Sequence, residues 1–313
     1  MTISNESFTT IKSSEIINSS VYENLENILT NKDGKTPLYK RFRAIFTLRN
    51  IADEKSIDIL SKAFFGDDST LLKHELAYVL GQIKNPYAIP ILCKVLTNKN
   101  EDPMVRHEAA EALGAIGDLS SMEVLQKYLN DEQVVVRETC ELAIEKIKFE
   151  NSNDNDISNS IYKSIDPAPP NTKIKSATEL GKILMDTNLP LFERYKAMFT
   201  LRDLGTTESV LELAKGLEDQ SSALFRHEIA FVFGQMQNPA SVTALKKALE
   251  NVNELDMVRH EAAEALGSIA TPECLPILKK FKEDQERVVK ESCEVALDMY
   301  EYEISQELQE EDL

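Results

Sequence analysis

The ten residues VRHEAAEALG occur twice in this chain, at residues 105–114 and again at 258–267. A shift of 153 residues, from 105 to 258, superimposes the two copies. The same shift aligns RFRAIFTLRN at 41–50 with RYKAMFTLRD at 194–203. The two halves of the chain are therefore copies of one ancestral segment. Because self-similarity is the signature of repeat architectures, a shorter period is expected inside each half.

Each half contains four units of similar length. Equivalent basic residues open one helical pattern in every unit, and their spacing is 32, 33 and 31 residues in both halves. These residues are Arg41, Lys73, Arg106 and Arg137 in the first half, and Arg194, Arg226, Arg259 and Lys290 in the second. The whole chain thus contains eight units.

One unit shows how the others fold. Residues 87–97 have the apolar spacing of a short amphipathic helix, and a polar turn follows. Asp102 then suits an N-cap, Pro103 a first helical residue, and Gly117 the stop of a second helix. A single hairpin cannot bury its apolar face, whereas stacked hairpins can. The pattern predicts an all-α solenoid of eight helical hairpins in two pseudo-symmetric halves.

Between the halves, the composition changes to Asn, Ser, Asp and Pro without helical periodicity. This change predicts an N-terminal half at 1–150, a disordered linker at 151–172 and a C-terminal half at 173–313, with four repeats in each half.

The net charge of −18 argues against a nucleic-acid partner and favours a basic protein or a cationic ligand. The four cysteines form no CxxC pair and are typical of buried free thiols in a reducing compartment. No apolar stretch approaches the ~18 residues of a membrane span, and the N-terminus lacks a signal-peptide core. We therefore expect a cytoplasmic protein without membrane association.

Each of the four histidines is followed by a glutamate. In each half, the two middle units carry one histidine each. Second helices of neighbouring units lie roughly 8–10 Å apart in a solenoid, so two equivalent imidazoles can share one ion. The glutamate after the second histidine is turned by about 100° and can add an oxygen ligand. Two candidate metal sets result: His74, His107 and Glu108, and His227, His260 and Glu261.

Two imidazoles and one carboxylate with open positions suit non-haem iron that handles O2. Catalytic zinc accepts the same ligands and stays open at this point. The HExxH spacing is absent, because Tyr78, Glu111, Phe231 and Glu264 stand four residues after the histidines. A plain structural alternative is a polar first helical turn, in which the macrodipole favours glutamate. All four histidines of the chain belong to this pattern, which favours metal sites over the structural alternative.

This pattern of eight hairpins with four His-Glu dipeptides resembles the deoxyhypusine hydroxylase family, over nearly the whole chain outside the linker. The resemblance implies HEAT-like repeats and a dinuclear non-haem iron centre at the interface of the halves. It further implies hydroxylation, with O2, of deoxyhypusine on eukaryotic translation initiation factor 5A, which completes hypusine. A monomeric monooxygenase is expected.

The resemblance also implies roles for individual residues. The two predicted triads would each hold one iron. Glu75 and Glu228 would act in catalysis by receiving the cationic substrate arm, and Met257 matches a substrate-contacting position. Whether Glu75 and Glu228 bind iron instead, which ligands bridge the metals and what reduces them are left open. The alternatives are a non-catalytic scaffold that binds a basic partner and a repeat protein of the bilin-lyase type.

Overall fold

The computed structural model describes residues 18–152, 160–171, 173–174 and 176–311, and all regular structure in these ranges is helical. The N-terminal half contains α1 (Ser19–Thr30), α2 (Leu38–Ile51), α3 (Glu54–Gly66), α4 (Thr70–Ile83), α5 (Ile89–Thr97), α6 (Pro103–Ile116), α7 (Met122–Lys127) and α8 (Val134–Glu150). The C-terminal half contains α9 (Ala177–Met185), α10 (Leu191–Leu204), α11 (Thr207–Gly216), α12 (Ala223–Met236), α13 (Val242–Glu250), α14 (Asp256–Ile269), α15 (Cys274–Phe281) and α16 (Arg287–Glu311). Short 3-10 turns precede α5, α7 and α13. The prediction of an all-α chain of eight hairpins is confirmed for the described residues.

Helix α6 begins and ends where local chemistry dictates. The Asp102 side chain accepts a 2.8 Å hydrogen bond from the backbone N–H of Met104, and Pro103 occupies the first turn. The helix ends at Gly117, whose φ of 78° is the left-handed conformation that glycine adopts without strain. These are the boundaries that the sequence predicts for this unit.

In the first and third units of each half, the repeated arginine links its hairpin to the next one. Arg106 donates from Nε to the carbonyl of Leu96, at the end of the preceding helix, over 3.0 Å. Its Nη2 lies 2.7 Å from Asp131 in the loop before α8. The same ion pair joins Arg41 to Asp67, Arg194 to Asp219 and Arg259 to Asp284. The arginine thus satisfies a helix-end carbonyl and links adjacent units, which explains why it recurs at this spacing.

The chain divides near residue 153 into two compact units. In the N-terminal unit, α4 packs on α6 and α6 on α8. In the C-terminal unit, α12 packs on α14 and α14 on α16. The core of each unit therefore runs along a row of second helices, and these helices carry the His-Glu dipeptides. No helix in the described ranges is long and apolar enough to cross a membrane.

The described part of the predicted linker differs from the expectation of disorder. Residues 160–171 pack against the C-terminal unit, where Asp166 lies 2.8 Å from the guanidinium of the fully buried Arg202. The ring of Tyr162 lies 4.4 Å from the same guanidinium, and Ala168 is fully buried. The polar composition predicts disorder, but contacts with the buried Arg202 order these residues. Residues 153–159 and 172 of the linker lie outside the described residues, as does the N-terminal segment 1–17.

Candidate metal centre

The first predicted metal set comes together in the N-terminal unit. His74 lies on α4, and His107 and Glu108 lie on the adjacent α6; all three side chains are buried. Nε2 of His74 is 3.1 Å from the Glu108 carboxylate, and the two imidazole centroids are 5.6 Å apart. One ligand atom from each residue lies within 4.8 Å of the others.

This donor set fits a metal ion. Bonds from histidine nitrogen or carboxylate oxygen to a metal such as zinc are roughly 2.0–2.2 Å long, so one ion can connect atoms about 4 Å apart. The three ligand atoms lie close to that spacing, within 4.8 Å of one another. Two imidazoles and one carboxylate leave positions open for other ligands, which is the donor chemistry of oxygen-handling non-haem iron.

The second predicted set also lies on two neighbouring helices, in the C-terminal unit, but its ligand atoms are less closely grouped than those of the first set. His227 lies on α12, and His260 and Glu261 lie on α14. Nε2 of His227 is 3.5 Å from the Glu261 carboxylate, and the two imidazole centroids are 5.4 Å apart. The duplication of the sequence has therefore produced one pair of neighbouring imidazoles in each unit, at similar spacing.

Burial controls the protonation of the first site. Removal from water disfavours the carboxylate and raises the pKa of Glu108 to about 8. The metal-free carboxyl therefore retains its proton near neutral pH, and a binding ion must displace that proton. Metal affinity at this site is expected to rise with pH for this reason.

The remaining predicted site residues are buried beside these sets. Glu75 follows His74 on α4, and Glu228 follows His227 on α12. Met257 is buried in the first turn of α14. The two glutamates are adjacent in sequence to the histidines, and the roles of all three residues stay predictions.

Sequence reasoning missed one acidic residue, Glu264. It is buried one turn after His260 on α14, and its carboxylate lies 3.6 Å from Nδ1 of that imidazole. This distance is longer than a hydrogen bond, but it puts a carboxylate on the Nδ1 side of the ring, opposite the Nε2 atom that can bind a metal. The sequence does contain a signal for this residue, because Glu264 stands four residues after His260. On its own, that spacing only excludes the HExxH motif. Glu111 stands at the same distance along the chain from His107.

Known proteins resemble this chain in its repeats and over nearly its whole length. The family model for HEAT repeats matches residues 57–145 and 210–298. Deoxyhypusine hydroxylase of Candida albicans is 54% identical, over 94% of this chain and 96% of its own length. The chain belongs to the deoxyhypusine hydroxylase family. The enzyme of Drosophila pseudoobscura pseudoobscura is 52% identical, over 92% of this chain and 94% of its own length.

A solved structure of the family shares the fold. Human deoxyhypusine hydroxylase in complex with glycerol is 49% identical and superimposes with a TM-score of 0.87, over 90% of this chain and 96% of that one. The predicted HEAT-like solenoid and the resemblance to the deoxyhypusine hydroxylases are both confirmed.

Proposed function

We propose that this chain is a deoxyhypusine monooxygenase, which hydroxylates the deoxyhypusine side chain of eukaryotic translation initiation factor 5A to hypusine. It uses O2 as cosubstrate and two non-haem irons as cofactor, and works as a cytoplasmic monomer without nucleic acid. The observation that carries the proposal is the convergence of two buried imidazoles and one carboxylate in the N-terminal unit. Membership of the deoxyhypusine hydroxylase family supplies the reaction.

The protein side chains hold the metals and exclude water. His74, His107 and Glu108 hold one iron, and His227, His260 and Glu261 hold the other. Iron in such a ligand set supplies the redox chemistry that activates O2. Burial of all six side chains lowers the local dielectric and keeps bulk water from the reaction.

Glu75 and Glu228 receive the substrate. Two Fe²⁺ ions carry four positive charges, and Glu108 and Glu261 neutralise two of them. Two further buried carboxylates suit a cationic, polyamine-like arm. Met257 gives the aliphatic part of that arm an apolar contact. The net charge of −18 attracts the same cationic group at longer range.

Metal analysis of the purified protein tests the cofactor. Because zinc accepts the same donors, the decisive measurement combines metal content with turnover, followed by the mass increase of one oxygen atom on the deoxyhypusine-bearing factor. We expect about two irons per chain, and activity that chelation removes and Fe²⁺ restores. Full activity in iron-free protein would contradict the iron cofactor. Binding of a basic partner without any turnover, even in iron-loaded protein, would favour the non-catalytic scaffold.

Paired variants separate metal ligands from substrate contacts. Glu75→Ala is expected to retain iron and to weaken binding of the basic substrate, whereas His74→Ala is expected to lose iron. The measurements are iron content and the concentration dependence of turnover. Equal loss of iron from both variants would make Glu75 a ligand.

A third variant asks whether the two irons act together. His227→Ala is expected to abolish turnover completely. If both metals stabilise the same transition state, the loss of either one removes the reaction and does not halve it. Half of the activity with one tightly bound iron would instead indicate two independent mononuclear sites.

A further inference from the structure

A glycine stands seven residues after every histidine of this chain. These glycines are Gly81, Gly114, Gly234 and Gly267. The units without histidine have Arg49, Glu145, Arg202 and Asp298 at the same position. Glycine is unfavourable in the interior of a helix, and all four of these glycines lie inside helices. Their association with histidine therefore calls for a physical reason.

The reason is close contact between helices. A Cβ atom added to Gly81 on α4 would lie 2.6 Å from the Cα and 2.8 Å from the Cβ of Ala112 on α6. Only hydrogen fits there, so the two helices meet backbone to backbone. The equivalent contact of Gly234 on α12 is looser, because an added Cβ would lie 3.3 Å from the Cα of Ala265 on α14.

This contact occurs on the helix face that carries the imidazole. Seven residues at about 100° each bring Gly81 back to within about 20° of His74, two turns along α4. The separation of α4 and α6 at the glycine therefore limits the separation of the two helices at the histidines. The centroids of His74 and His107 are 5.6 Å apart across these helices. A wider gap would move the imidazoles out of reach of a shared ion.

We propose that Gly81 and Gly234 are positioning residues for the metal sets, because they allow the paired histidine helices to approach closely enough for two imidazoles to hold one ion. The identity of the metal rests on the proposed function, whereas the spacing argument concerns any ion that binds two imidazoles and a carboxylate.

The chain offers its own control. Gly114 on α6 makes the same kind of contact with α8, where an added Cβ would lie 2.9 Å from both the Cα and the Cβ of Ala143. Helix α8 carries no histidine. An alanine at 114 therefore disturbs one helix contact, as an alanine at 81 does, but the contact lies between α6 and α8 and not between the two helices that carry His74 and His107.

The test compares Gly81→Ala with Gly114→Ala in the full chain. Thermal unfolding of the metal-free proteins measures stability, and anaerobic titration with Fe²⁺ and separately with Zn²⁺ measures metal affinity. Both variants are expected to unfold at lower temperature than the parent chain. Gly81→Ala is expected to weaken metal binding by about tenfold or more, since ligand geometry has to be held within about 0.5 Å. Gly114→Ala is expected to bind metal like the parent.

Equal loss of metal affinity in the two variants, or no loss in Gly81→Ala, would overturn the proposal. Gly234→Ala serves if Gly81→Ala does not fold, because its looser contact needs a shift of only a few tenths of an ångström. A folded Gly234→Ala protein is expected to bind metal more weakly at the C-terminal set, by a smaller factor than Gly81→Ala shows at the N-terminal set. Unchanged affinity there would also overturn the proposal. If the glycine effect holds for Zn²⁺ while the parent chain never hydroxylates deoxyhypusine, the proposed function fails and the positioning role survives.

Discussion

Replacing Arg202 by alanine removes a fully buried guanidinium from the C-terminal unit. That group lies 2.8 Å from Asp166 in the ordered segment 160–171 and 2.9 Å from Asp203. It also donates a 2.9 Å hydrogen bond to Gln235 on α12. Burial of the arginine would lower its pKa, but these two carboxylates more than compensate and hold the pKa above its usual value. The variant leaves two carboxylates without their cation and removes one of the contacts that hold the segment on α10.

Removal of one member of a buried ion pair costs about 3–5 kcal/mol. The carboxylate side chains of Asp166 and Asp203 are 11% and 21% exposed, which favours the lower end, about 3 kcal/mol. For a cooperative unit of about 150–250 residues, each kcal/mol lowers the melting temperature by about 2–4 °C. The expected decrease is therefore about 6–12 °C for the transition of the C-terminal unit.

Far-UV circular dichroism of the full chain measures this transition. The duplication supplies a matched control, because Arg49 occupies the equivalent position in the N-terminal half. Arg49 is only half-buried and lies 5.5 Å from the ring of Phe46, a contact worth about 0.5–1 kcal/mol. If Arg202→Ala lowers the melting temperature no more than Arg49→Ala does, the segment is not anchored as described.

Three further outcomes follow from the same structure. Deleting residues from 153–159 should change stability little, because closure entropy depends only logarithmically on loop length, whereas deleting 160–171 should lower the melting temperature. The hydrogen bond from Arg106 lowers the pKa of Asp131 below its unfolded value of about 3.9. The stability from this pair is present above about pH 4 and lost as pH falls through the folded pKa, so acid titration of Asp131→Asn should show a flatter dependence. Burial raises the pKa of the Cys140 thiol to about 12, so mass spectrometry should find it unalkylated at pH 8 until the protein unfolds.

The sequence alone determined the repeat and which histidines lie next to each other. Helix boundaries depend on residues a few positions apart, so Asp102, Pro103 and Gly117 were sufficient to locate α6. Equivalent positions in stacked units come together in any solenoid, so the pairing of His74 with His107 followed from their spacing once the repeat was found. Both inferences need only local periodicity and the regular stacking of identical units.

Differences between equivalent units could be seen only in the tertiary structure. Arg49 and Arg202 occur in matching stretches of sequence, yet only Arg202 is fully buried, because a segment outside the repeats packs over it. The role of Gly81 likewise became visible only when Ala112 was found against it on the next helix. The contact of Glu264 with the imidazole of His260 depends on how that ring is oriented in the packed core. Burial and interhelical distance arise from residues distant in sequence, and local patterns do not encode them.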